Sequence, residues 1–432
     1  MKQLKYLFTD RLVVNFIHIF GGDAFASLLS IFSISFITKS LGMEKYGFII
    51  LIQGIVSLID GIFNFQSWQG IIKFFPIVKN DEKELKTLIK FSYILDLLTA
   101  FLAFFIIFVF NSLIGNFYNF TGEERIVLII FSLYIIFNIQ GTPIGILRSF
   151  DRFDYLRNQR VIVAIFNFIL LGIGFLLKLS IFYFIGVYFL TNVLNSFLLN
   201  YFAMKELKRR KIKGIFKEKF SFNKEFFKFT CLTNFNSSLD IPIQYFDNLL
   251  IGKMLSLEQL GVYKICKTIA VVLDKVGTPL YQTLYPYFCE RVIEKKYIEI
   301  FKKSLKISSF LFIISLFILF FMNIIGFQIF SKIFSNTILN YKLEINLYLL
   351  VKMLATIFIV IHPLFLAMGY IKIETKIVFI TNLLYLLVLF IFIKKFALIG
   401  VILAYGLQVF LILLMKGVII LKEINNYNGN IE

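Results

Sequence analysis

The sequence predicts an all-α integral membrane protein of twelve transmembrane helices arranged as two six-helix lobes, and three observations carry that expectation. Its 432 residues are 59% hydrophobic, 18% aromatic and only 16% charged, with a mean hydropathy of +0.83. That is more apolar side chain than a water-facing surface accommodates. Apolar runs of about 20 residues, bounded by charges or turn residues, recur along the chain. A charged turn after the first run is written again after the seventh, 214 residues later.

The runs place helices near 12–38, 46–72, 87–110, 126–147, 161–177, 180–204, 229–252, 261–288, 307–330, 345–369, 377–393 and 397–415. The first continues to Thr38, which reads as an uncleaved span rather than a signal peptide. The net charge of +19 would suggest nucleic acid in a soluble domain, but membrane topology absorbs it. With these spans, 32 Lys and Arg residues fall on the side of the N-terminus, 9 on the opposite side and 4 within helices. The positive-inside rule therefore puts both termini in the cytoplasm. Cys231, Cys266 and Cys289 lack CxxC spacing and indicate neither a disulfide framework nor a metal site.

The longest loop, KELKRRKIKGIFKEKFSFNKEFFK at 205–228, falls between spans six and seven. It divides the chain into an N-terminal lobe (1–204), a basic cytoplasmic linker (205–228) and a C-terminal lobe (229–432). The repeat matches Lys39, Leu41, Glu44, Gly47, Ile55 and Asp60 to Lys253, Leu255, Glu258, Gly261, Ile269 and Asp274 without a gap. An even number of spans per half makes this repeat parallel, about an axis along the membrane normal.

Ten formal charges fall within the assigned spans: Asp23, Asp60, Asp96, Asp240, Asp247, Asp274, Lys264, Lys267, Lys275 and Lys352. Exposing them to lipid at about 2.5–3.5 kcal/mol each would be prohibitive, so they are expected to face a bundle interior or a wet cavity. Helical spacing agrees. Gln53, Ser57, Asp60 and Asn64 share one stripe of span two, Asp240 and Asp247 share one of span seven, and Lys264, Lys267, Asp274 and Lys275 crowd one side of span eight. The competing reading is structural pairing, such as Lys267 with Asp274 or Asp60. Pro143, Pro242, Pro279 and Pro363 fall within spans and read as kinks. His18 and His362 are the only histidines; either could couple transport to protons or simply pack.

Lysine outnumbers arginine 36 to 9, yet Arg148, Arg152, Arg157 and Arg160 all fall within RSFDRFDYLRNQR. Topology needs only charge, whereas a planar guanidinium grips phosphate through two parallel hydrogen bonds. These four are the expected point of phosphate contact at the cytoplasmic surface. No P-loop, HExxH, GxSxG or CxxC occurs, and no outer loop exceeds about 20 residues. A built-in ATP motor is therefore excluded, and a glycan polymerase or ligase with a large external loop is disfavoured. No cofactor is expected, and the basic loops suit a membrane surface better than nucleic acid.

The turn TKSLGMEKYGFIIL after span one resembles the LG…YG signature of the polysaccharide-transport, or Wzx-type, oligosaccharide flippases. MLSLEQLGVYKI and GILRSFDRFDYLRNQR are similar to the same family, with Leu41, Gly42, Tyr46, Gly47 and Gly261 carrying most of the likeness. The resemblance implies a MATE-like fold of the MOP superfamily with a central cavity opening alternately to each side. It also implies a polyprenyl-pyrophosphate-linked oligosaccharide as cargo, moved to the outer leaflet of a bacterial inner membrane for capsule, O-antigen or lipopolysaccharide assembly, with other glycan-assembly proteins as partners. Lys264, Lys267, Lys275 and Lys352 fit the cationic lumen of such a flippase, and Asp60, Asp240, Asp247 and Asp274 join them as expected cavity residues. His18, Asp23, Asp60 and Asp274 are the candidates for ion coupling. An exporter of cationic drugs and a lipid II flippase share this fold and stand as the alternatives.

Overall fold

The computed structural model describes the backbone of residues 11–65 and 67–429; the side chains of 11–20, of 425–429 and of several positions within 236–244 and 272–283 lie outside the description. The described residues are helical, without a strand. Nine segments among them are long and apolar enough to cross a membrane, making this a multi-pass membrane protein. Contacts divide the chain into two compact units, Met1–Leu249 and Leu250–Glu432.

The first unit comprises α1 (Arg11–Leu41), α2 (Met43–Phe63), α3 (Ser67–Val78), α4 (Glu82–Tyr118), α5 (Gly122–Ser132), α6 (Tyr134–Phe137), α7 (Gly141–Ser149), α8 (Phe153–Leu176), α9 (Ile181–Arg209) and most of α10 (Lys224–Met254). The second comprises α11 (Leu257–Ile293), α12 (Tyr297–Phe321), α13 (Phe327–Ile333), α14 (Lys342–Ile357), α15 (Ile361–Ala367) and α16 (Ile371–Gly429). Helices α10 and α11 are not among the nine. Asn234, Asn236, Ser237, Ser238, Asp240, Gln244, Asp247 and Asn248 crowd the first, and Lys264, Lys267, Asp274 and Lys275 the second.

Helix ends follow local chemistry. Asp81 caps α4 by accepting from the backbone N–H groups of Lys83 and Glu84 at 2.9 and 3.0 Å. Thr121 with Glu124, and Ser256 with Gln259, form reciprocal capping boxes. Helices α4, α7, α8, α9 and α11 stop before a left-handed residue, namely Asn119, Asp151, Lys178, Lys211 and Lys295. The next backbone N–H then bonds back five residues, as in Ile212 to Leu207 and Lys296 to Arg291. The repeated turn keeps its register, since Met43 and Leu257, 214 residues apart, are each the first residue of a helix.

Several predicted spans are broken. Span two ends at Phe63 and resumes at Ser67; span four is interrupted at Leu133 and again over 138–140; span ten is interrupted over 358–360. The last long helix departs from helical geometry at Ala397 (φ 49°, ψ −130°), beside the expected boundary between the last two spans. Residues 322–326 form a π turn in span nine. Pro143 and Pro363 correct the expected kinks. Each stands in the first turn of a new helix, α7 or α15, where its missing N–H sacrifices no intrahelical bond. The side chains of Pro242 and Pro279 lie outside the described residues.

Apolar side chains face two ways. On α4, Leu98, Phe101, Phe105 and Phe108 form an exposed stripe, as lipid contact requires. The opposite face packs Leu85, Leu88, Ile89 and Phe91 into a core with Ile146, Leu147, Leu199 and Phe226. Gly70 of α3 meets α10 so closely that an added Cβ would lie 2.6 Å from the Phe226 ring. The basic 205–228 segment folds onto the first unit. Ile215 is buried, and Lys90 Nζ donates to the carbonyls of Phe216 and Glu218 at 3.0 and 2.6 Å. In the second unit Phe288, Ile300, Phe365, Ile377 and Ile420 form the equivalent core.

Candidate functional site

The carboxylate stripe of α2 ends at a helix break that serves it. Asn138, freed from helical geometry between α6 and α7, donates through Nδ2 to Asp60 Oδ2 at 2.9 Å. Asn64, one turn below, donates to Oδ1 at 3.5 Å. Gln140 donates in turn to Asn138 Oδ1, and Tyr134 and Tyr245 lie against Ser57 and the carboxylate. Asp60 is thus held by neutral donors within the first unit, in the interior position its spacing predicts.

Asp96 of α4 is buried to 4% exposure. Its Oδ2 accepts from the Thr142 backbone N–H at 2.8 Å and from the Thr142 hydroxyl at 2.7 Å. The Ser92 and Thr142 hydroxyls meet at 2.8 Å. The N–H of Thr142 is one of the unsatisfied donors at the start of α7, so Asp96 repairs the break that Pro143 follows.

The four clustered arginines differ in their partners. Arg152, between α7 and α8, donates to Asp154 Oδ1 and Oδ2 at 2.8 and 2.6 Å and to Glu206 Oε2 at 2.6 Å. It also stacks 3.7 Å from the Tyr155 ring centroid. Its bonds to Asp154 raise its pKa further above the ordinary arginine value, so it is a fixed structural cation. Glu206 is fully buried and also receives Arg210 Nε at 2.8 Å. Arg157 bonds the neighbouring Asn158. Arg160 pairs with Asp23 of α1, one of the expected ion-coupling residues. Arg148 lies over the Trp68 ring at 4.5 Å, and its Nε is buried without a hydrogen-bond partner among the described residues.

In the second unit an aromatic chain joins two of the expected cavity lysines. Lys267 sits 4.9 Å from the Tyr263 ring, Tyr263 meets Tyr348 edge-on at 5.7 Å, Tyr348 stacks on Tyr405 at 5.8 Å, and Lys352 lies 5.7 Å from the Tyr405 ring. Lys264 is half-buried on the same helix as Lys267. Asp247 is buried and accepts from the Asn248 backbone N–H at 2.7 Å. The side chains of His18, Asp240, Asp274 and Lys275 lie outside the described residues. Among those described, no cluster of metal-ligating side chains occurs, and Cys231, Cys266 and Cys289 are free thiols.

One ionic cluster escapes the sequence reading. Lys416 reads as a loop cation just past span twelve, but it is 4% exposed. Its Nζ donates to Glu374 Oε1 at 2.8 Å and lies 3.2 Å from His362 Nδ1. His362 immediately precedes Pro363, as Thr142 precedes Pro143. The only available signal was this parallel, a polar residue before a proline at the start of a resumed helix.

Nine bilayer-length apolar segments among the described residues, with charged side chains held between helices, define a multi-pass membrane protein. Residues 12–292 match the family described as "Polysaccharide biosynthesis protein", and the chain belongs to that family. It is 22% identical over 297 residues to "Inner membrane protein YghQ" of Escherichia coli (strain K12), covering 66% of this chain and 83% of that one. The fold is shared with membrane proteins of known structure. It superposes on an inward-facing "multidrug resistance MATE family transporter of the MOP superfamily" with a TM-score of 0.74 at 15% identity, covering 94% of this chain and 96% of the other. It superposes on "Lipid II flippase MurJ, inward closed conformation" with a TM-score of 0.69 at 15% identity, covering 92% and 86%.

Proposed function

We propose that this protein is a flippase that moves a polyprenyl-pyrophosphate-linked oligosaccharide from the cytoplasmic to the outer leaflet of a bacterial inner membrane, for assembly of a surface polysaccharide such as capsule or O-antigen. Membership of the polysaccharide biosynthesis family over residues 12–292 is the observation that carries this reading. The likeness in fold to both a MATE transporter and MurJ supports it, as does an inner-membrane relative. The chain reads as a transporter rather than an enzyme.

The mechanism proposed is alternating access between two six-helix lobes. Support for twelve spans comes from counting α10 and α11 beside the nine apolar segments and dividing the last of these at Ala397. Both termini lie in the cytoplasm in this arrangement. Arg148, Arg152, Arg157 and Arg160 form the point of entry for the pyrophosphate, Lys264, Lys267, Lys275 and Lys352 hold the anionic cargo, and the lipid tail stays in the bilayer. Asp60, Asp240, Asp247 and Asp274 are the carboxylates proposed to contact the cargo. Asp60, Asp274, Asp23 and His18 are the groups through which an ion gradient would reset it.

The leaflet distribution of the lipid-linked oligosaccharide, in cells with and without the gene, tests the reading. Accumulation on the cytoplasmic face without the gene, reversed by the intact protein and not by Lys267→Glu, is the expected result. An unchanged distribution overturns it. The MATE likeness favours a second reading, export of cationic drugs, in which Asp60 and its neutral donors would hold the cargo; efflux of cationic dyes would then be lost without the gene.

A further inference from the structure

A polar cavity of about 130 Å³ lies inside the first unit, lined by Gln140, Arg148, Gln159, Arg160 and Asn195 together with three aliphatic side chains. We propose that this cavity binds one phosphoryl group of a lipid, with Arg148 as its principal ligand. The inference rests on the flippase reading for the lipid's identity but not for the existence of the site.

Four observations carry it. First, Arg148 is a cation without a counter-charge. It makes no ion pair among the described residues, whereas Arg152 is held by Asp154 and Glu206 and Arg160 by Asp23. Second, its guanidinium face is covered by Trp68 at 4.5 Å. A stacked guanidinium keeps its N–H donors in the plane of the ring system's face, free for two parallel bonds to an oxyanion. One such donor, Nε, is buried with no hydrogen-bond partner among the described residues, which is costly unless a ligand or water supplies an acceptor.

Third, the rest of the wall suits an anion. Gln159 is 4% exposed and bonded to Asn195, and the two amides leave further N–H groups for oxygen acceptors. With Arg160 already balanced by Asp23, the charge left at the cavity is that of Arg148, which is opposite in sign to a phosphoryl group. Fourth, the size is selective. The volume is roughly four times the ~30 Å³ share of a water molecule, sufficient for a tetrahedral oxyanion and too small for a glycan. Arg160 lies seven residues into α8, about 10 Å along the helix from its start.

The test uses the full-length protein in dodecyl maltoside micelles, which carry no phosphoryl group, titrated separately with polyprenyl monophosphate and with phosphatidylglycerol. Intact protein is expected to bind polyprenyl monophosphate, with affinity reduced at least tenfold by Arg148→Gln, several-fold by Arg148→Lys, and less than twofold by Arg125→Lys, whose side chain bonds Asn116 and Phe120 and takes no part in the cavity wall. Asn195→Leu, which changes the wall without touching a charge, should also weaken binding and serves if Arg148→Gln fails to fold. Arg148-dependent binding of phosphatidylglycerol as well would support the phosphoryl site and assign it to bilayer headgroups. Binding of both lipids that is unchanged in Arg148→Gln and Asn195→Leu overturns the proposal. Arg148-dependent binding together with an unaltered leaflet distribution of oligosaccharide in cells would leave the site standing and remove the cargo reading.

Discussion

Asp96 and Thr142, 46 residues apart in sequence, are joined by two hydrogen bonds at one carboxylate oxygen, from the threonine N–H at 2.8 Å and its hydroxyl at 2.7 Å. The pair sits where span four breaks and α7 begins. Replacing Asp96 by Ala would strand both donors in a buried site, at about 1–3 kcal/mol each. Thermal unfolding of the purified protein should therefore show a clear loss of stability for Asp96→Ala. Asp96→Asn, whose amide oxygen can still accept, should lose less.

Glu206 anchors a second constraint. It is fully buried and ion-paired to Arg152 at 2.6 Å and to Arg210 at 2.8 Å. Removing Glu206 leaves Arg152 to Asp154 alone and takes the acceptor from Arg210, a loss of two charge-assisted hydrogen bonds at about 1.5–3 kcal/mol each. Glu206→Ala is expected to reduce the folded yield sharply. The double variant Glu206→Ala, Arg152→Met should recover part of it, as a double-mutant cycle of unfolding midpoints would measure.

In the second unit the same logic applies to Lys416 and Glu374, bonded at 2.8 Å with Lys416 only 4% exposed. Lys416→Met alone should destabilise by several kcal/mol because Glu374 is left without its ammonium partner. Pairing it with Glu374→Gln should restore most of the loss. If the loss in the double variant equals the sum of the losses in Lys416→Met and Glu374→Gln, the pair contributes no coupling.

Close helix approach gives a packing prediction. An added Cβ at Gly70 would lie 2.6 Å from the Phe226 ring and 2.8 Å from the Thr230 methyl group, so Gly70→Ala is expected to cost about 1–3 kcal/mol through overpacking. Gly186, with nothing within 4 Å of an added Cβ, should accept alanine without measurable loss in the same unfolding assay.

Much of the fold was legible because membrane helices announce themselves through apolar length. The interior placement of Asp60 followed from its spacing with Gln53 and Ser57, and the repeated turn reappears with Met43 and Leu257 in equivalent positions. Helix breaks were less legible, since Asn64 and Asn138 lie in runs that read as continuous. Their polar side chains are explained only by Asp60, which a linear reading does not place beside Asn138. The four arginines looked alike for a similar reason. What distinguishes Arg148 from Arg152 is Glu206, 54 residues beyond Arg152. Likewise Lys416 resembled a loop cation until folding set it against Glu374, 42 residues earlier.

The flippase reading is tested most directly with purified protein in sealed proteoliposomes containing lipid-linked oligosaccharide and a membrane-impermeant glycan-modifying enzyme outside. Protein-free vesicles expose only the outer-leaflet fraction. With the protein, the modified fraction should rise well beyond that value within the assay, and Lys267→Glu should abolish the rise. A modified fraction equal to that of protein-free vesicles, from protein that moves cationic dyes across the same bilayer, would contradict the flippase reading and establish an exporter in its place.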